Sequence, residues 1–188
     1  MKGKMTNGIT ANMTVGAGGD SNVAMKNSIE LHNHYDIECL DSEGNVKWVD
    51  EIDNIVVDVG LDDVLDKFLK GSAYTAAHYV GLTDGTPTVA AGDTMASHVG
   101  WTEIVAYTEA TREVLTLGTV ASQSVDNSAS KASFAINGTA TIGGAFVNTA
   151  SDKSGSTGTL YGAGAFTGGD RSVQSGDTVN VTVTCTAS

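Results

Sequence analysis

Two histidines, His32 and His34, stand two residues apart in a segment that alternates polar and apolar groups, and they share its polar side with Glu30, Asp36 and Glu38. Side chains at i and i+2 of a strand project from one face, which is the spacing of a strand-borne metal pair. A closed zinc site needs four ligands, and the sequence places no third or fourth beside these two. The pair therefore reads as a solvated polar face that holds two imidazoles, with no metal.

Other reactive groups fare no better. Cys39 and Cys185 are the only cysteines, near opposite ends of the chain. They read as two buried thiols with neither a disulfide framework nor a setting that would lower a thiol pKa. Gly162-Ala163-Gly164-Ala165-Phe166 suggests a phosphate loop, but it lacks the Gly-Lys-Ser/Thr ending and no helical pattern follows it. Close backbone approach within a strand is the better reading. No Gly-x-Ser-x-Gly elbow occurs, and Asp41-Ser42-Glu43-Gly44-Asn45 is too short and mis-spaced for an EF-hand. Acids are plentiful, yet no paired-carboxylate arrangement is legible in a linear sequence. The expectation is a protein that is not an enzyme and holds no cofactor.

The elements that would position any site come from composition and period. A chain of 188 residues with 23 glycines and only 17% charged residues describes one ordinary domain rich in turns and strands. Ten basic residues against 22 acids leave a net charge of −12, a field that repels phosphate backbones and anionic lipid surfaces, so neither nucleic acid nor membrane is an expected partner. No apolar run is long enough to span a bilayer, and the lysines at Lys2 and Lys4 precede no apolar stretch of a secretory signal. Folding in a cytoplasm is expected.

Period-two alternation predicts a strand over 29–40, with Ile29, Leu31, Tyr35, Ile37 and Cys39 inward, a turn at Asp41–Asn45, and a hairpin partner at Val46–Val49. Ile52–Val59 is a further strand candidate. From 61 to 70 the period becomes helical, with Leu61, Val64, Leu65, Phe68 and Leu69 on one stripe expected to pack on a sheet, a partner-binding helix being the alternative, and Gly71 just past the end. A strand around His78–Leu82 breaks at Asp84-Gly85-Thr86-Pro87, and a short helical turn is expected at Met95–His98 before Trp101, a core or interface residue. Strands are predicted at 101–107, 112–121, 131–137, 140–147, 159–166 and 171–174. A final strand from Thr178 to Thr186, with Val179, Val181, Val183 and Cys185 facing one way, is the clearest. The fold class is mainly β: an antiparallel β-sandwich, jelly-roll-like, over 28–188, with one short α-helix at about 61–70.

Residues 1–27 are Gly, Asn, Thr, Ser, Met and Ala without a period, too poor in large apolar groups to bury themselves. They are expected to form an extended N-terminal arm. Ordering it costs roughly 1–2 kcal/mol of backbone entropy per residue, so a neighbouring subunit is the expected support, through Ile9, Met13, Val15, Val23 and Met25.

Taken together, YDIECLDSEGNVKW at 35–48, NIVVDVGLDDVLD at 54–66, HYVGLTDG at 78–85 and VAAGDTMASHVGWTE at 89–103 resemble a family of small tailed-bacteriophage virion proteins, and VDNSASKASF at 125–134 and GTLYGAG at 158–164 fit the same family. The resemblance covers about residues 30 to 188 and leaves the arm outside. It implies a structural protein of the virion, assembled in the host cytoplasm. Among virion roles, capsid decoration or cementing fits the physics: a small sandwich across capsomer junctions needs no chemistry, gains from an arm, and can be acidic because its neighbours are protein. The expected partners are the major capsid protein or further copies of this chain, in a homo-oligomer on the virion. A tail or head-fibre component with a host-binding role is the alternative, and a glycan hydrolase would need a cleft of convergent carboxylates.

Overall fold

A computed structural model describes residues 29–74 and 77–188. The strands are β1 (Leu31–Leu40), β2 (Val46–Asp53), β3 (Ile55–Val56), β4 (Tyr79–Thr83), β5 (Glu103–Ile104), β6 (Glu113–Val114), β7 (Ser124–Asp126), β8 (Ala132–Ala135), β9 (Ala140–Ile142), β10 (Gly144–Asn148), β11 (Leu160–Ala165), β12 (Arg171–Val173) and β13 (Thr178–Ala187). Helix α1 (Asp58–Val64) runs directly into a π-helical turn, Leu65–Leu69. The protein is mainly β, its sheets antiparallel, with this one short helix. The arm, with Ile9, Met13, Val15, Val23 and Met25, lies outside the described residues.

In the first sheet the order is β2-β1-β13, and β13 carries β8 along Thr178–Val181 and β7 along Thr184–Thr186. The first and last strands pair over their whole length, from Leu31 opposite Ala187 to Leu40 opposite Thr178. The second sheet has the order β3-β11-β10-β4, with β5 and β6 on the outer edge of β4. Strands β9 and β12 form a separate small pair. Inward side chains of both sheets meet in one core: Tyr35, Ile37, Val179 and Val181 from the first, Val80, Leu82, Ala145 and Val147 from the second.

The two sheets differ on their outer faces. The first alternates, because water covers its outside; Tyr35, Ile37 and Cys39 are buried while Asp36 is exposed. All five residues of β10 are buried, because a second core lies on its outer side. There Phe146, Leu160 and Ala163 meet Val57, Met95 and Trp101, supplied by the start of α1 and by the irregular segment that follows β4. That segment is held by Asp84, whose carboxylate accepts from the Thr102 amide at 2.8 Å, and by the Thr88 amide donating to the Gly100 carbonyl at 3.0 Å.

Several elements depart from the sequence reading. The helix begins at Asp58, three residues before the expected start, and its second half is π. Its apolar stripe is not core: Leu61, Leu65, Phe68 and Leu69 are exposed, and the residue that α1 buries is Gly60, where a Cβ would overlap the Tyr161 carbonyl. Gly71 does follow the helix with φ of 75°, as a C′ glycine should. The hairpin partner of β1 continues to Asp53, leaving only Ile55–Val56 of the separate strand expected at Ile52–Val59. Residues 101–107 pair only at Glu103–Ile104, because the segment crosses from the outer core, where Trp101 is buried, to the first sheet's side, where Tyr107 bridges to Ile136. Residues 112–121 form a strand only at Glu113–Val114, and Ala121 adds an isolated bridge to Ser124. No helical turn forms at Met95–His98; Thr94 and Ser97 exchange both amide–carbonyl bonds and close a tight turn.

Both cysteines are free. Cys185 sits opposite Asn33, six strand positions from Cys39, or about 20 Å at 3.3 Å per residue, far beyond disulfide reach. Titration of denatured, unreduced protein with a chromogenic thiol reagent is expected to find two thiols per chain; finding none would contradict this register.

Candidate functional site

Where β1 begins and β13 ends, the two sheets part and leave an open mouth. A β-bulge shapes one wall. Val147 pairs with Gly162 and Asn148 with Leu160, so Tyr161 is the extra residue, and it turns toward the cavity. Helix α1 packs against this bulge, with the Val57 amide donating to the Tyr161 carbonyl at 3.3 Å, and carries Val64 and the π-helical Phe68 over the opening. The other wall is Asn33, Cys185, Val183 and Val125 of the first sheet. The cavity measures about 390 Å³.

Its lining is mostly apolar, with Asn33, Asp63, Lys67 and His78 as the polar groups. Burial pushes the Cys185 thiol up to about 11 and the Tyr161 phenol up to about 12. Burial also holds the His78 imidazole below the usual histidine value, against an opposing pull from Asp63. His78 packs edge-on against Tyr161, ring centroids 5.7 Å apart. Each shift disfavours a charged form, so the cavity suits neutral, largely apolar groups. Beside Asp63 and Lys67 the rim carries exposed apolar side chains that nothing among the described residues covers: Phe68 is 82% exposed and Tyr74 56%, with Leu69 next to them at 73%.

The polar face of β1 is a different kind of surface. His34 Nδ1 lies 3.0 Å from Asp53 and its Nε2 3.5 Å from Asp36, while His32 pairs with Glu30 at 3.5 Å. Among the described residues no three His, Cys, Asp or Glu side chains are arranged to share a metal ion. The hydrogen bond to Asp53 is the main cause that raises the His34 pKa, helped by the charge of Asp36. A raised folded-state value means that this contribution is complete below about pH 6.5, the unfolded value, and is lost as pH climbs through the folded one. Solvent screening limits it to about 0.5 kcal/mol. The melting temperature of Asp53→Asn is accordingly expected to fall below that of the parent at pH 5.5 and to match it at pH 8; an equal gap at both would contradict the assignment.

Beside that face a polar groove of about 470 Å³ runs past Asp50, Glu38, Lys131 and Arg171. Four of its charges are matched in pairs: Arg171 Nε is 2.8 Å from Asp50, and Lys131 Nζ 2.7 Å from Glu38. No unmatched charge among these four is left for a ligand.

The strongest polar cluster is structural. Arg112 is fully buried and donates from Nε to Glu103 at 2.9 Å, from Nη2 to Glu103 at 2.7 Å and to the Gly155 carbonyl at 2.9 Å, and from Nη1 to the Ala150 carbonyl at 2.9 Å. Its guanidinium lies 5.1 Å from the Phe146 ring centroid. Glu103 also accepts from the Ser154 amide at 2.8 Å, so the pair staples the 150–155 loop to the edge of the second sheet.

Of the groups singled out in the sequence, Gly162 and Gly164 lie in β11, pressed by Asn54 and Ile52, which is the close approach expected of them. Cys185 lines the mouth and Cys39 does not. The mouth and the Arg112–Glu103 pair went unread in the sequence. The helical period puts Phe68 on the stripe expected to pack on a sheet, and the arginine signal is composition: only two arginines stand among ten basic residues, and both pair with buried carboxylates. A scan of protein-family models finds no family that matches this chain, and a search of curated proteins finds no relative.

Proposed function

We propose that this protein is a non-enzymatic structural component of a tailed-phage virion, a capsid decoration or cement protein that binds the outer shell and stabilises it through subunit contacts. The observation that carries the reading is the uncovered apolar end of the helix. Leu65, Phe68, Leu69 and Tyr74 are all more than half exposed on one short stretch. Exposed apolar side chains clustered in this way mark protein–protein contact surfaces. Within the polar groove the charges of Asp50, Arg171, Glu38 and Lys131 are paired with one another, as a passive scaffold would have them. In this role the helix end docks on the shell, and residues 1–27 reach an adjacent subunit.

Co-sedimentation with shells that lack the protein tests the reading. Phe68→Asp with Leu69→Asp is expected to lower retention about tenfold or more, since losing two anchor side chains costs upward of 1.4 kcal/mol. Undiminished retention would remove the docking surface. Recovery of the protein only on tails would favour a tail or head-fibre role, for which the exposed aromatic rings of Phe68 and Tyr74 would serve as host contacts.

A further inference from the structure

We propose that the open mouth between the sheets is filled by the protein's own N-terminal segment, residues 1–28, which places an apolar side chain in the cavity and offers a backbone carbonyl to Asn33 Nδ2. The first observation is Asn33 itself. It is 4% exposed, it lines the cavity, and its Nδ2 has no hydrogen-bond partner among the described residues. A buried amide donor without an acceptor costs about 1–3 kcal/mol, so the site calls for an acceptor that enters with an apolar group. Extended peptide supplies both at once.

The second observation is where the chain leaves the described fold. Ile29 is exposed, and Glu30 is tied to Ser188 by two backbone hydrogen bonds, which fixes the start of the chain at the open end of the sandwich. Asn33 is only four residues further on, about 13 Å at strand spacing. Val23 and Met25 need one reversal of direction to return to the mouth, and closing so short a loop carries a small entropic cost. Between Lys4 and Lys26 the segment is mostly Gly, Asn, Ser, Thr and Ala with Asp20 as its one charge, so Ile9, Met13, Val15, Val23 and Met25 are isolated apolar plugs on a polar peptide. Neutral groups are what the cavity accepts.

Charge favours the same occupant. The segment holds Lys2, Lys4 and Lys26 against Asp20 alone. The helix that roofs the mouth carries Asp58, Asp62, Asp63 and Asp66 against Lys67 and, just beyond it, Lys70. A second copy of a chain with net charge −12 is repelled as a whole, whereas a tethered basic segment meets the mouth at the millimolar effective concentration of a short linker. The inference does not rest on shell binding. A segment that fills the mouth of the free protein must leave it to reach a neighbour.

Cys185 supplies the probe, since it lines the cavity while Cys39 is fully buried. Alkylation of native full-length protein by N-ethylmaleimide is followed at Cys185 by peptide mass mapping. It is compared with a full-length variant in which Ile9, Met13, Val15, Val23 and Met25 are all serine. The variant is expected to react about tenfold faster or more, and the parent rate should not change on dilution. Equal rates would overturn the proposal, and protection that vanishes on dilution would assign the mouth to a second copy instead. A benzophenone amino acid at Phe68 in the otherwise unaltered chain gives an independent reading: crosslinks to peptides of residues 1–28 within the monomer are expected, and crosslinks only between chains or only elsewhere in the same chain would overturn it.

Discussion

Arg112→Ala is expected to destabilise the protein by about 3–5 kcal/mol in urea or thermal unfolding, the usual cost of breaking a buried ion pair by removing one partner. Three consequences add. Glu103, whose side chain is 4% exposed, keeps a buried charge opposed only by the Ser154 amide. The carbonyls of Ala150 and Gly155 lose their donors, and the 150–155 loop loses its anchor on the sheet edge. A cavity opens beside Phe146. Burial and not charge alone sets this magnitude, so the double variant Arg112→Met with Glu103→Leu should recover most of the loss. A single-variant change below about 1 kcal/mol, the range of exposed pairs, would mean that the pair is open to water.

Phe146→Ala should cost a similar amount, about 3–5 kcal/mol, for a second reason: the ring fills the space between the second sheet and its outer cover. It is fully buried, 4.9 Å from the Trp101 ring, and lies directly over Gly81 on the neighbouring strand. A Cβ at Gly81 would overlap that ring. Gly81→Ala alone is therefore expected to lose about 1–3 kcal/mol by overpacking. In the Phe146→Ala background the same substitution should be nearly neutral, a coupling well above the few tenths of a kcal/mol at which separate sites add. Additive losses would show that Gly81 matters for some reason other than the ring.

The strands that could be read from the sequence are those with one wet face. Tyr35, Ile37 and Cys39 on β1 and Val179, Val181 and Val183 on β13 are buried at every second position because water covers the other side of that sheet. Period two reports that asymmetry directly. Strands β4 and β10 are covered on both faces, so alternation carries no information there, and what covers them is an irregular segment whose bonds are long-range. The helix shows the opposite limit. Its stripe at Leu61, Leu65, Phe68 and Leu69 shares a face, as the period requires, yet periodicity says nothing of what lies against that face, and here nothing described does. The bulge at Tyr161 shifts side chains by one position and was invisible for the same reason that it matters: it re-aims one ring into the mouth. Arg112 finds its partners nine to 43 residues away, separations that no local pattern encodes.

The most direct test of the proposed role is to locate the chain on a virus particle. A low-resolution electron-microscopy reconstruction of tailed particles assembled with and without this protein should give difference density the size of one such domain on the outer shell at capsomer junctions, with the Phe68–Tyr74 end against the capsid. Difference density confined to the tail or fibres, or no difference between the two particles, would contradict the decoration role.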